Sequence, residues 1–317
     1  MQGPIIEFDY KKISYKKIFE NESLKDYTSK GVGTKESISA FGELNFPKAG
    51  EERIYTIGAF VTSIDGKIAY LDNSFGPMVA KANLHDKAGA ELDFWILNLL
   101  RASMDAIFVG AGTMQKEPEC YAGIYDRVLL NERINRNLPS SPWAIICSLD
   151  GTDIPFQHSL FDLSPTMINT SPDAIHYIAE NIGKEYFTIG PYNSISEIDD
   201  KKVIGDFEKY KDTKIPIILT GQGKETNSAV LFRILKLLGI DKALVESPSY
   251  CHSLMKEGLL DELFLGYSCV YIGGNAIGLG HWQEPFTTLV HPHTELLSIH
   301  SHFPGFLYFR HKLIYGL

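Results

Sequence analysis

Three short stretches of this chain combine small residues, hydroxyls and acids in a way that could hold a ligand and act on it. Gly110-Ala111-Gly112-Thr113 follows an apolar run at residues 106–109. Glycines one residue apart at the end of a buried strand let the backbone approach a ligand with no Cβ in the way. If a helix starts there, free N–H groups and the Thr113 hydroxyl could hold a phosphate. The plain alternative is a tight turn of small residues, because short glycine motifs recur widely without function. Asp65 stands in Ser63-Ile64-Asp65-Gly66-Lys67-Ile68-Ala69, at the end of another predicted strand. Open α/β sheets place ligands at such ends, although Asp-Gly is also an ordinary turn signal. Glu246 begins the third stretch, Glu246-Ser247-Pro248-Ser249. Its alternative role is to cap the following helix or to pair with a lysine.

The elements that must position these stretches are readable from periodicity. Residues 53–62 read as a strand, with Tyr55, Ile57, Ala59 and Val61 on one side. Residues 86–102 read as a helix whose apolar face is Ala88, Leu92, Trp95, Leu99 and Ala102. Trp95 is accordingly assigned to the core. Further strands are expected at 106–109, 143–148, 166–169, 186–189, 215–220, 242–246 and 261–267, and helices at 172–181, 226–238 and 248–257. Ser171 and Ser247 are the expected caps, Pro172 and Pro248 the first helical residues, and Gly239 and Gly258 the stops. Residues 294–302 and 306–313 alternate around Pro304-Gly305, the pattern of a terminal β-hairpin. Strands alternating with helices predict an α/β domain over residues 50–317, with a mostly parallel central sheet flanked by helices and a C-terminal β-hairpin. Residues 1–49, polar and mixed in charge, read as an N-terminal extension.

The 317 residues are 44% hydrophobic and 22% charged, the balance of a globular protein with a full core. A net charge of −9 gives no global footprint for nucleic acid. The four cysteines are widely spaced and suit a reducing compartment. No apolar run is long enough for a bilayer, and the N-terminus lacks the apolar core of a secretory signal. A cytoplasmic protein with no membrane or nucleic-acid partner is expected. Spacing would place His291 with His293, and His300 with His302, on shared strand faces. Without cysteine or carboxylate partners they read as surface histidines, and no metal is assigned.

In chain order, S-x-D-G-x-x-A (Ser63, Asp65, Gly66, Ala69), L-R-A…D-A-x-x-V-G-A-G-T (residues 100–113) and V-E followed by G-L-x-D-E-L (Gly258, Leu259, Asp261, Glu262, Leu263) resemble the riboflavin-pathway pyrimidine reductases, the RibD C-terminal domain family. The resemblance covers roughly residues 53–312. It implies a dihydrofolate-reductase-like fold, NADPH as hydride donor and a homodimer. The aromatic residues Phe264, Tyr267, Tyr271, Phe303, Phe306, Tyr308 and Phe309 also exceed what one small face would bury, as at an interface. On this basis the cofactor-binding set is Thr62, Gly110, Ala111, Gly112, Thr113, Ser148, Ser247 and Ser249. Hydride transfer also requires a proton, and Asp65 and Glu246 are the catalytic candidates. For Asp65 the competing role is to fix its turn.

Two departures stand out. The family's glutamate is followed by Gly-Gly, whereas this chain has Ser247-Pro248, and Pro248 cannot donate an N–H. The arginine that meets a ribose phosphate after the family's G-T is out of register here, which leaves Arg127 and Lys116 as candidates. With no P-C-x-x-C there is no zinc deaminase signature. The sequence therefore points to an NADPH-dependent reductase of a small pyrimidine- or pterin-like heterocycle. The alternative is a nucleotide-binding protein of the same fold without turnover.

Overall fold

The computed structural model describes residues 3–281 and 283–316. Among them an eleven-stranded sheet forms from β1 (Lys16–Glu20), β2 (Tyr55–Ser63), β3 (Ala106–Gly110), β4 (Trp143–Cys147), β5 (Thr166–Thr170), β6 (Tyr186–Tyr192), β7 (Ile215–Thr220), β8 (Lys242–Val245), β9 (Glu262–Ser268), β10 (His293–His302) and β11 (Phe306–Ile314). The spatial order is β1-β10-β11-β9-β2-β8-β3-β4-β5-β7-β6. Strands β2 to β9 run parallel to one another, while β11, β10 and β1 add antiparallel pairs at one edge. The α/β architecture and the C-terminal hairpin are thus as expected.

Helices cover both faces of the parallel region. The principal ones here are α1 (Lys87–Ala102), α2 (Ala111–Lys116), α3 (Asp200–Tyr210), α4 (Ser228–Leu237) and α5 (Pro248–Lys256). This explains why β2 is not amphipathic: Thr56, Ile57, Gly58 and Ala59 are all buried. Strands enclosed between helix layers read as continuous apolar runs rather than as alternations. Trp95 is fully buried, as its helical spacing implied. Residues 172–181 divide into a 3-10 turn and an α-helix, and Ser171 makes no side-chain cap bond.

Helix α3 and strand β1 were not visible in the sequence. In α3 only Val203 and Phe207 face inward, too sparse a stripe to stand out, although Asp199 caps the helix. β1 is exposed along its whole length and gains its conformation by pairing with β10. Through β1, residues before 50 join the main sheet. Phe46 and Tyr15 enter the core, where Tyr15 stacks on Trp95 at 5.8 Å between ring centroids.

The D-E-L motif locks this edge. Glu262, wholly buried, accepts from Arg310 Nε (2.7 Å), Arg310 Nη2 (3.0 Å) and Tyr55 Oη (2.7 Å). Arg310 also donates to the Asn45 carbonyl at 2.9 Å. His300 is not a surface histidine: Phe41 stacks on it at 4.1 Å and leaves it 5% exposed. The aromatic surplus is also reduced, since Phe264, Phe306 and Tyr308 pack into the chain's own core, while Tyr271 and Phe303 stay exposed.

Candidate active site

A cavity of about 1240 Å³ opens at the carboxyl ends of β2, β3 and β8 and continues between α1 and the sheet toward Gly266 and Tyr308. A drug-sized ligand needs about 300–1,000 Å³, so there is room for two ligands side by side. One wall is apolar, with Val61, Phe264 and Leu97.

At the strand ends the cavity meets a cradle of small residues. Gly110 ends β3 with φ −76°, an ordinary value for any residue. Its smallness is required by a neighbour instead: a Cβ there would lie 3.0 Å from Ser247 Oγ and 3.6 Å from Thr113 Oγ1. The expected turn is a direct strand-to-helix junction, because α2 begins at Ala111. A Cβ on Gly112 would meet nothing within 4 Å, so this position opens into the cavity. Across from it, Ser247 precedes α5 without making a side-chain cap bond, and Pro248 takes the first helical position. An N–H at that position would have no intrahelical partner in any case. Gly110, Gly112, Thr113, Glu246, Ser247 and Ser249 all line the cavity. This donor set and the open Gly112 fit a phosphate-bearing cofactor.

Other predicted residues are placed elsewhere. Ala111 turns into the core, and Thr62 is buried, with a hydroxyl that has no partner among the described residues. Ser148 bonds to the Asp153 carboxylate and accepts from Gly151 N at 2.9 Å, which shapes its own loop. Arg127 pairs with Glu7, whereas Lys116 lines the cavity.

The two candidate acids have different surroundings. Asp65 is not part of the cavity lining. It accepts from Ser63 Oγ (2.6 Å), Ile272 N (3.1 Å) and Gly273 N (2.8 Å), and the Ser63 bond first, then the backbone bonds, hold its carboxyl down at about 2. A group so acidic and so fully occupied carries no proton near neutral pH. Glu246 does stand on the cavity wall, gripped by Arg101 from α1: Nε reaches Oε1 at 2.8 Å and Nη2 reaches Oε2 at 2.6 Å. The remaining guanidinium nitrogen, Nη1, donates to the carbonyls of Tyr121 (2.8 Å) and Gly123 (3.1 Å). Arg101 is only 5% exposed. It was visible in sequence as the arginine of L-R-A, but its partner, 145 residues away, was not.

Two of the other acids on the cavity lining have raised carboxyls that no sequence pattern showed. Burial raises Glu117, against a backbone bond from Gly76. Burial alone lifts Asp93, on α1, to about 7. Their signal is burial opposite another element, which no local pattern carries.

No helix among the described residues is long and apolar enough to cross a membrane. No curated protein matches the chain. Among solved structures, a pyrimidine reductase-like protein of Corynebacterium diphtheriae is 20% identical with a TM-score of 0.52, covering 83% of this chain and 93% of that one. The diaminohydroxyphosphoribosylaminopyrimidine deaminase/5-amino-6-(5-phosphoribosylamino)uracil reductase of Thermotoga maritima and RibD of Acinetobacter baumannii are 14% and 13% identical, each with a TM-score of 0.52. The match covers 83% of this chain and only 58% and 59% of those longer proteins. These similarities show a shared fold. Residues 55–307 match the family model for the RibD C-terminal domain, and the chain belongs to that family.

Proposed function

We propose that the cavity is the active site of an NADPH-dependent reductase acting on a small pyrimidine- or pterin-like heterocycle, in a chain that assembles as a homodimer. The observation that carries this reading is the cradle of Gly110, Gly112, Thr113 and Ser247 at the mouth of a cavity with room for a second ligand. When bound, the nicotinamide supplies a hydride. The chain's own residues do the rest. Thr113, Ser247 and Ser249 offer hydroxyl donors to the cofactor's phosphates, and Lys116 adds positive charge. Arg101 fixes Glu246 on the wall. Val61, Leu97 and Phe264 exclude water, which strengthens every polar contact inside. Proton delivery is assigned to Glu117, which burial favours in its protonated form and which feels the charges of Glu246 and Arg101.

Gly112→Val tests the cradle. The added side chain meets nothing within 4 Å in the protein, so the variant should fold. It projects into the space assigned to the phosphate, and overpacking of about 1–3 kcal/mol should weaken NADPH binding roughly 5- to 150-fold. Wild-type NADPH affinity in a folded Gly112→Val protein, measured by titration, would refute the assignment.

Asp65 becomes a positioning residue that ties its turn to residues 272–273. Loss of a general acid typically costs about 100- to 10,000-fold in rate. Asp65→Asn is expected instead to lower the melting temperature while leaving turnover per folded molecule within about threefold, far inside that range. A loss of a hundredfold or so at full folding would restore the acid to catalysis.

Binding without turnover is the second reading, favoured by Pro248, which has no N–H to offer. NADPH titration followed by an NADPH-oxidation assay separates the two. Saturable binding with no oxidation across a panel of pyrimidines and pterins would favour the second.

A further inference from the structure

The chain before residue 55 lies outside the family match, yet it supplies part of the cavity wall. Residues 3–10 run as a strap against the stretch that follows α2, and they are tied at both ends. At one end a Cβ on Gly3 would lie 2.2 Å from Tyr121 Cζ, and one on Gly123 would lie 2.1 Å from the same atom, so two glycines close on one buried ring. At the other end Tyr10 Oη donates to Asp126 Oδ2 at 2.8 Å, where Trp95 Nε1 also donates at 3.0 Å. Between them Ile6 N donates to the Tyr125 carbonyl at 2.7 Å, Ile6 and Asp126 form a parallel bridge, and Glu7 pairs with Arg127. Ile5, Phe8 and Tyr10 pack against the main core, with Phe8 at 6.3 Å from Phe94 between ring centroids. Ile6 stays 39% exposed and stands on the cavity lining with Phe94, Tyr121 and Tyr125. Ligand pockets are lined in this way, by apolar and aromatic side chains on a preformed frame.

We propose that residues 3–10 complete the substrate half of the cavity, and that Ile6, with Phe94 and Tyr125, selects a heterocycle bearing an unphosphorylated apolar substituent, alkyl or aryl. The cradle of Gly110, Gly112, Thr113 and Ser247 takes no residue from this wall. The wall instead adjoins Glu117, the assigned proton donor: Cys120 N donates to the Glu117 carbonyl at 2.8 Å, and Tyr121 follows directly. It also adjoins Glu246 through Arg101, which lies 5.9 Å from the Tyr125 ring centroid and donates to the Tyr121 carbonyl. A ring placed to receive a proton from Glu117 thus brings its substituent within reach of the strap. Phosphate is disfavoured there. Arg101 is engaged by Glu246 and two carbonyls, Arg127 is engaged by Glu7 of the strap itself, and Glu119 adds negative charge to the lining. Burying an anion without a free cation is costly, whereas an alkyl or phenyl group gains from contact with isoleucine and aromatic rings. The strap's part in specificity deepens the reductase reading and rests on it for the reaction served.

The test uses the full chain and calorimetric titration with uracil, 5-phenyluracil, 6-phenyluracil, uridine 5′-monophosphate and, separately, NADPH. Wild type should bind one phenyluracil about 10- to 100-fold more tightly than uracil, the worth of burying most of an aromatic ring, and the monophosphate no more tightly than uracil. Ile6→Ala should keep a melting temperature close to wild type, because the side chain is 39% exposed. It should weaken that phenyluracil about 5- to 50-fold, with uracil and NADPH affinities unchanged, and Ile6→Leu, which keeps the volume, should restore it. Equal phenyluracil affinity in wild type and Ile6→Ala, an equal loss for every ligand, no phenyl preference in wild type, or tighter binding of the monophosphate than of either phenyluracil overturns the strap's role. Wild type with the phenyl preference but no NADPH binding would leave the wall standing and remove the reductase reading. NADPH binding and oxidation without any phenyl preference would do the reverse.

Discussion

Arg101→Met is expected to cost the fold about 3 kcal/mol and to lower the melting temperature on the order of 5 °C. The guanidinium is 5% exposed and binds Glu246 through two parallel bonds, and it also satisfies the carbonyls of Tyr121 and Gly123. Its removal orphans all three acceptors at once. Leaving an uncompensated charge in a buried pair costs about 3–5 kcal/mol. The lower end is appropriate because the Glu246 side chain is 16% exposed to the cavity, where water can reach it. Two controls isolate the cause. Arg101→Lys keeps the charge but not the planar fork, so it should recover only part of the loss. The double change Arg101→Met with Glu246→Leu removes both partners, and should be more stable than Arg101→Met alone despite carrying one more substitution. A melting temperature for Arg101→Met within about 1 °C of wild type, less than 1 kcal/mol at this chain length, would show that the pair carries no such weight.

Asp93→Asn is expected to do the opposite, and only at neutral pH and above. The carboxyl sits near 7 in the folded protein against an ordinary 3.8, because burial disfavours its charged form. Below about pH 4 it is protonated both folded and unfolded, and contributes nothing. Between about 4 and 7 the unfolded chain has released the proton and the native state has not. The native state then binds more protons, so stability falls as pH rises. Above about 7 the penalty is complete, roughly 4 kcal/mol at the dry limit. Water entering from the cavity screens part of it, and on the order of 2 kcal/mol is expected. Asn cannot ionise and escapes the penalty. Paired thermal melts should therefore show the variant several degrees more stable at pH 8 and indistinguishable from wild type at pH 4. A variant less stable than wild type at pH 8 would mean that a partner holds the Asp93 carboxylate in the folded protein, and equal stabilisation at both pH values would mean that its ionisation is not the cause.

These two residues share a helix that was plain in the sequence, yet neither role was. The period of Leu92, Trp95, Leu99 and Ala102 is a property of one turn and the next, so the helix and its buried face could be read locally. The same holds for the apolar strands, for Gly239 and Gly258 as helix stops, and for the hairpin around Pro304-Gly305. Motif order placed Gly110 to Thr113 and Glu246 at strand ends, where the cavity does open. The remainder depended on which distant segments meet. Asp65 looked like an acid beside a ligand until the loop at 272–273, 207 residues on, supplied the N–H groups that hold it ionised. Ser148 was drawn off by a neighbour in its own turn. β1, exposed throughout, has no pattern of its own and exists because β10 offers an edge. Asp93 would face water on an isolated amphipathic helix, and it acquires an apolar environment only where β9 brings Gly266, and β11 brings Tyr308, against it. Short-range periodicity reports the backbone and the buried side of each element. Charge, acidity and access at a site are set by the register and packing between elements far apart in the chain, and only the tertiary structure decides them.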